Sequence, residues 1–192
     1  MILTKMILLP YIPKKTYLLF LLLVIFSRSY SQQWVPLGQG VSWISSSIGL
    51  VEALKVYKGD LYVGGIFNNV DGDSIYLIAK WDGLQWFSLP NNNLNEVLSM
   101  EVYKDQLYVG CRTNIISRWD GANWDSLGSS IGIIGLNGPG IWDLQIYNNE
   151  LYVAGQFYKA GGLNTYHIAK WDSTNWDTLG AGVGGGNDLV FS

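Results

Sequence analysis

The 192-residue sequence has little of the chemistry on which most metal, thiol and nucleic-acid sites depend. It contains one cysteine, which excludes an intrachain disulfide, and one histidine, which is too few for the usual transition-metal centres. Only 14% of the residues are charged, and acidic residues outnumber basic ones by 15 to 12. Because no basic stripe can form that would neutralise phosphates, nucleic acids and anionic membrane surfaces are not expected as partners.

The N-terminus has the three parts of a secretory signal. Lys14 and Lys15 precede an apolar run at 17–26, and small residues then occupy the third and first positions before a cut at Gln32. A membrane anchor is the alternative, but ten residues span only about 15 Å as a helix, whereas the hydrocarbon core is about 30 Å thick. We therefore expect residues 1–31 to be a signal peptide and the protein to be secreted or at the cell surface, by bacterial export.

The main feature after the signal is an internal repeat. Three segments align without gaps, VEALKVYKGDLYV at 51–63, VLSMEVYKDQLYV at 97–109 and IWDLQIYNNELYV at 141–153. A second signature follows each segment, in which two tryptophans and a leucine are spaced by 5 and then 3 positions. Its members are Trp81, Trp86 and Leu89, then Trp119, Trp124 and Leu127, then Trp171, Trp176 and Leu179. The middle copy is shorter by eight residues, which indicates a shortened loop.

Within each copy the apolar residues have the two-residue period of strands. Pairs such as Lys58-Gly59 and Asp82-Gly83 supply hairpin turns between them. In the first copy we predict strands at 54–57, 61–67, 76–81 and 86–89. Four antiparallel strands that repeat every 44–46 residues form a propeller blade.

The predicted fold is therefore all-β, a partial β-propeller of about three four-stranded antiparallel blades. The blades span 51–89, 97–127 and 141–179, with unmatched terminal strands at 33–37 and 187–192. Closed propellers have about four to eight blades, so this arrangement predicts a fragment of a longer protein. Open sheet edges at both ends would favour self-association.

The repeat resembles the kelch-like, galactose-oxidase-type propeller blade of secreted bacterial proteins. The resemblance is carried by LYVGG at 61–65, by Tyr76, by WDGLQW at 81–86 and by Leu89. It covers nearly all of the chain after the signal. The diglycine is replaced in the later copies, and a WD40 blade is the competing family, although no Gly-His pair precedes the Trp-Asp pair in any copy.

The repeated polar and aromatic residues are interpreted as structural. Asp82, Asp120 and Asp172 recur once per blade at a turn, where aspartate accepts hydrogen bonds from nearby backbone, so a turn role is favoured over acid-base catalysis. The repeated tryptophans could form a sugar-stacking surface, but packing between sheets is the preferred interpretation.

Four unrepeated residues are candidate sites. Asp71 and Asp73 are weak metal candidates, since carboxylates in a loop suit Ca²⁺, but a solvated turn is favoured. Cys111 occupies a glycine position and is interpreted as a packed thiol. His167 replaces Leu77 of the first copy and lacks the partners of a copper site.

No catalytic residue and no cofactor are assigned. The expected function is a non-catalytic secreted or cell-surface module whose loops bind an extracellular protein or polysaccharide. The alternative is an extracellular carbohydrate-active or other propeller enzyme whose catalytic residues lie partly in missing blades. Such an enzyme would bring unrepeated acidic residues from different blades together on one face.

Overall fold

The computed structural model describes residues 35–44, 49–90, 94–113, 116–127, 131–133, 140–180 and 183. The described residues from Leu37 onward belong to one compact unit. The predicted signal peptide and the predicted strand at 187–192 lie outside the described residues. Of the predicted strand at 33–37, the first two residues also lie outside them. The other three residues, 35–37, are described and do not form a strand. Among the described residues, no helix is long and apolar enough to cross a membrane.

The described residues form strands joined by turns, which confirms the predicted all-β class. The strands are β1 (Val41–Ser42), β2 (Leu50–Tyr57), β3 (Asp60–Ile66), β4 (Asn69–Val70), β5 (Ile78–Trp81), β6 (Trp86–Ser88), β7 (Val97–Tyr103), β8 (Gln106–Cys111), β9 (Ile116–Trp119), β10 (Trp124–Ser126), β11 (Ile131–Ile133), β12 (Ile141–Tyr147), β13 (Glu150–Gly155), β14 (Phe157–Ala160), β15 (Leu163–Asn164), β16 (Ile168–Trp171) and β17 (Trp176–Thr178).

The larger strands form three antiparallel sheets of four strands, as the repeat predicts. Sheet 1 has the order β2-β3-β5-β6, sheet 2 the order β7-β8-β9-β10 and sheet 3 the order β12-β13-β16-β17. Each sheet is a meander in which the strands pair in chain order, so the three sheets are the blades of a partial propeller.

The first hairpin of each sheet turns at residues with positive φ, as predicted. Both turn residues are in the left-handed region at Lys58 and Gly59, at Lys104 and Asp105, and at Asn148 and Asn149, with φ between 47° and 88°. This is the type I′ geometry that matches the twist of paired strands.

The third strand of sheet 1 starts two residues later than predicted, at Ile78 instead of Tyr76. Leu77 has φ of 62°, and this left-handed residue breaks the extended backbone. His167, at the same position of sheet 3, has φ of 66°. The kink is therefore shared by sheets 1 and 3, although leucine is not a usual signal for positive φ.

Two small sheets accompany sheets 1 and 3, where we had expected loops. In the first, β1 pairs with β4, and in the second, β11 pairs with β14, which also pairs with β15. In copy 2 the described residues between Cys111 and Ile116 contain no such strand. The eight residues that copies 1 and 3 have in addition fall in the segment that contains β4 in copy 1 and β14 and β15 in copy 3.

Neighbouring sheets meet through their first strands. β2 and β12 both contact β7, and the second strand of each of sheets 1 and 2 contacts the first strand of the following sheet. Two apolar clusters fill the spaces between the sheets. Tyr57, Tyr62 and Ile78 of sheet 1 pack with Met100 and Trp119 of sheet 2, and the same positions of sheet 2 pack against sheet 3.

Candidate functional site

The repeated aspartates serve the second hairpin of each sheet. Oδ1 of Asp82, Asp120 and Asp172 accepts hydrogen bonds of 2.7–2.9 Å from the backbone N–H groups two and three residues further on. These donors, led by the N–H three residues on, lower the pKa of each carboxyl group. The geometry agrees with the turn interpretation, because the Oδ1 atom of each aspartate already accepts two backbone hydrogen bonds within its own turn.

The repeated tryptophans pair across the third and fourth strands. Ring centroids are 5.1 Å apart in the Trp81–Trp86 and Trp119–Trp124 pairs and 5.3 Å apart in the third pair. Trp119 is buried between sheets 1 and 2, and the other rings are buried or half-buried. This agrees with a packing role and offers little ring face to a sugar.

Asp71 closes a tight turn and anchors the segment before sheet 1. Its Oδ1 accepts a 2.8 Å hydrogen bond from the backbone N–H of Gln39, and its own N–H donates to the Gly40 carbonyl. Asp73 and Val70 exchange two backbone hydrogen bonds of 2.9 Å across the turn. Among the described residues, no three His, Cys, Asp or Glu side chains are grouped in a way that could hold a metal ion.

Replacing Asp71 and Asp73 together by asparagine tests the metal alternative. We expect the melting temperature to be the same with and without calcium in both the unchanged chain and the variant, because the Asp71 carboxylate binds backbone. Differential scanning calorimetry in EDTA and in excess Ca²⁺ measures this. A calcium-dependent rise that disappears in the double variant would show that the turn is a calcium site.

The unrepeated cysteine and histidine are both buried. Burial raises the pKa of the Cys111 thiol to about 11, so it is protonated at neutral pH and is a poor nucleophile. Nδ1 of His167 lies 3.2 Å from the Gly155 carbonyl of its own sheet. Both residues therefore lie inside the packed sheets and offer no accessible chemistry.

The feature that brings unrepeated side chains together is a β-bulge in each first strand. The register between the first and second strands shifts between Val51 and Ala53, between Val97 and Ser99, and between Ile141 and Asp143. The extra residues are Glu52, Leu98 and Trp142. A bulge leaves its extra residue outside the ladder and redirects the side chain, so the three copies can differ here at little cost to the sheet.

The three bulges lie along one cleft of about 230 Å³, which we call the first-strand cleft. It is lined by Glu52, Ala53, Leu54, Leu98, Ser99, Met100, Trp142 and Asp143. Every sheet contributes, because the first strands are where the sheets meet. The lining residues include two carboxylates and no basic side chain.

The position of Trp142 in the first-strand cleft depends on Gly140. A Cβ at Gly140 would lie 2.5 Å from Nε1 of Trp142 and 2.7 Å from Cδ1 of Leu98, so a larger residue there would displace one of these side chains from its present position. The Trp142 side chain is half-buried, so part of it is exposed to solvent. Ser99, deeper in the cleft, donates its hydroxyl proton to the Ile141 carbonyl at 2.9 Å.

A second cleft, of about 260 Å³, lies between the outer strands of sheets 1 and 2. Tyr62, Phe87 and Trp119 contribute to its lining together with Lys80. The Lys80 ammonium makes a 2.9 Å ion pair with Asp60 and lies 4.8 Å from the Phe87 ring centroid. Because its only charge is already paired and its rings pack in the sheet interface, this cleft is the weaker candidate.

The residues of the first-strand cleft were not singled out in the sequence, although a signal for them exists. The aligned copies VEALKVY, VLSMEVY and IWDLQIY agree in residue type at four positions and diverge at the second, third and fifth. The second and third positions are the bulge residue and its successor, which line the first-strand cleft. At the fifth, Lys55 and Glu101 form an ion pair between sheets 1 and 2. Divergence within a repeat can mark a functional surface, because the common fold does not need a particular residue there.

No protein-family model matches the sequence, and no curated protein is significantly similar to it.

Proposed function

We propose that the chain is a kelch-like propeller repeat protein that works outside the cell as a non-catalytic binding module, with polysaccharide as its ligand. The observation that carries the proposal is the separation of roles among its side chains. The repeated residues hold turns and sheet interfaces, whereas the bulge position of each first strand and the position after it differ between copies and line the first-strand cleft. A rigid repeat with a variable cleft is the arrangement expected of a recognition surface.

The chemistry of the first-strand cleft suits a sugar chain. The half-buried Trp142 can stack on the apolar face of a sugar ring, and the carboxylates of Glu52 and Asp143 can accept hydrogen bonds from sugar hydroxyls. The absence of basic side chains from the lining favours a neutral polysaccharide over an acidic one. A basic protein segment could also pair with the two carboxylates, so an extracellular protein is the second candidate ligand.

A binding role is favoured over catalysis by the state of the Ser99 hydroxyl. Its proton is donated to a backbone carbonyl, and no histidine, lysine or cysteine lines the first-strand cleft to act as its base. The enzyme alternative keeps one supporting feature, which is that Glu52 and Asp143 come from different sheets and meet in one cleft. Two carboxylates are the minimum that a glycosidase needs.

Affinity electrophoresis through gels that contain neutral polysaccharides tests the proposal. We expect the chain to be retarded by at least one of them, and Trp142→Ala to abolish that retardation. Trp81→Ala is the matched control, because this tryptophan lies on β5, away from the first-strand cleft, and it should leave the retardation unchanged.

The other outcomes separate the alternatives. Equal retardation of the Trp142→Ala variant and the unchanged chain would contradict the assignment of the first-strand cleft. Release of reducing ends by the chain, lost in Glu52→Gln or Asp143→Asn, would establish the enzyme alternative. Binding of a polylysine probe without binding of any polysaccharide would favour a basic protein segment as the ligand.

A further inference from the structure

The buried histidine is held in its neutral form within sheet 3. His167 is 1% exposed, and Nδ1 of its ring lies 3.2 Å from the carbonyl oxygen of Gly155. A carbonyl can only accept a hydrogen bond, so Nδ1 is the donor and Nε2 is the unprotonated nitrogen of a neutral imidazole. Nε2 is buried and has no hydrogen-bond partner among the described residues. A second proton on this ring would therefore create an N–H group without an acceptor.

The second proton would also create a charge that nothing nearby balances. Within the described part of the chain His167 makes no ion pair, and the titratable group against its ring is the Tyr166 phenol, with centroids 6.4 Å apart. The charged residues of sheet 3 and of the small sheet beside it are Asp143, Glu150, Lys159, Lys170, Asp172 and Asp177. Each acid except Asp143 is held by Lys170 or by its own turn, and Asp143 lines the first-strand cleft. Because burying an unpaired charge is unfavourable, protonation favours a rearranged site.

The backbone that receives the imidazole also supports the first-strand cleft. The Gly155 N–H donates to the His167 carbonyl at 3.0 Å, in addition to the contact between the Gly155 carbonyl and the ring. The next N–H along the chain, that of Gln156, donates to the Gly140 carbonyl at 2.9 Å. Gly140 in turn lies directly against the Trp142 indole. His167 is therefore connected to Trp142 through backbone hydrogen bonds and one close contact.

Sheet 1 has the same backbone arrangement without a titratable ring. Leu77 occupies the position of His167 with nearly the same φ, 62° against 66°, and the Gly65 N–H donates to its carbonyl at 2.9 Å. Leucine therefore fits this backbone geometry. The only histidine of the chain is thus in the sheet that contributes Trp142 to the first-strand cleft.

We propose that His167 makes the first-strand cleft sensitive to pH, with the cleft formed when the imidazole is neutral and loosened when it is protonated. Imidazole is the side chain that ordinarily gains its proton between about pH 8 and pH 5. The protonated ring gains solvation by leaving its site, and the backbone of Gly155 and Gln156 loses a contact when it does. Trp142 then loses its fixed position, so ligand binding weakens as the pH falls. The effect on ligand binding rests on the proposed function, whereas the loosening of the backbone does not.

Amide hydrogen exchange at about pH 7.5 and about pH 5.5 tests the switch without a ligand. After correction for intrinsic exchange rates, we expect residues 140–156 of the unchanged chain to exchange about ten-fold faster at the lower pH. Residues 50–66 of sheet 1 are the internal control and should show no such change. His167→Leu, which introduces the residue found in sheet 1, should remove the effect. Faster exchange in both segments, or in the variant as well, would contradict the proposal, as would equal exchange at the two pH values.

A second variant keeps the test valid if His167→Leu does not fold. The amide of His167→Gln can donate to the Gly155 carbonyl but does not titrate in this range. We therefore expect its residues 140–156 to exchange at the same corrected rate at both pH values. A structural role for the imidazole alone would not produce this loss of pH dependence.

Affinity electrophoresis at the same two pH values measures the consequence for binding. Retardation by a neutral polysaccharide, taken relative to a gel without it, should correspond to about ten-fold weaker binding at the lower pH in the unchanged chain. His167→Leu should be retarded equally at both. The same weakening in the variant, or none in the unchanged chain, would overturn the proposed control of binding. If no polysaccharide retards the chain at either pH, the proposed function fails, and hydrogen exchange alone decides whether His167 controls the backbone.

Discussion

Trp119→Ala is expected to lower the free energy of unfolding by about 3–5 kcal/mol, the usual range for removing a large aromatic ring from a core. The Trp119 ring belongs to the cluster between sheets 1 and 2, where it packs with Tyr62 and Leu107. Its removal leaves a cavity that touches both sheets, and neither can collapse into it without losing its own strand pairing. Urea denaturation followed by far-UV circular dichroism measures the change.

Trp171→Ala is the matched control for this prediction. Trp171 has the same position in sheet 3 and the same stacked partner on the fourth strand, but it is only half-buried. Trp171→Ala should therefore lower the free energy of unfolding clearly less than Trp119→Ala does. Equal losses at the two sites would indicate that the stacked tryptophan pair, rather than burial between the sheets, is what stabilises the fold. A near-neutral Trp119→Ala would mean that the ring faces solvent.

The features predicted from sequence are those that depend on neighbouring residues. The type I′ turn at Lys58-Gly59 and the aspartate turn at Asp82 each need only a few consecutive residues, and their threefold repetition made the pattern clear. The period of the repeat then gave the four-stranded sheets with ends within a few residues of those observed. The residue types at the turns and the period of the repeat were therefore sufficient to predict the turns and the four-stranded sheets.

The small sheets were missed because they join residues that are distant in sequence. Val41 pairs with Val70, and Ile131 pairs with Ala160, through strands of two to four residues that are too short to show a period. The partner strand lies before the predicted blade in each case, so the repeat as first delimited did not contain it. The positive φ of Leu77 was missed for a related reason, since tertiary packing imposes it on a residue that does not favour it.

The first-strand cleft could not be predicted from the spacing of residues in the sequence. A bulge is a property of the register between two strands, and the alternation of a single strand does not reveal it. Glu52 and Trp142 are also 90 positions apart in the sequence and meet only because three first strands converge. Carboxylates in loops, such as those of Asp71 and Asp73, are visible as metal candidates in the sequence, but the Asp71 carboxylate accepts a backbone hydrogen bond; the carboxylates of the first-strand cleft lie in strands, where the sequence gives no such signal.

Gly64→Val is expected to destabilise the chain by about 1–3 kcal/mol, the usual cost of overpacking a filled interior. A Cβ at Gly64 would overlap Cγ1 of Val97 and lie 3.3 Å from Cε of Met100, both on the first strand of sheet 2. Because valine is otherwise favoured in strands, a loss of stability isolates the close approach of the sheets as its cause. Thermal or urea unfolding of the monomeric chain measures it.

Ala154→Val provides the comparison that makes this test specific. Ala154 has the same place in the second strand of sheet 3 and is half-buried on the outer face of that sheet, where no described sheet packs. We expect its stability to change by no more than about 0.5 kcal/mol when measured on the monomer. If Gly64→Val and Ala154→Val lowered the free energy of unfolding equally, the cause would be the backbone geometry of the second strand at this position and not the packing of the next sheet. A loss confined to Gly64 would instead show that small residues are needed there because the next blade packs directly on the backbone.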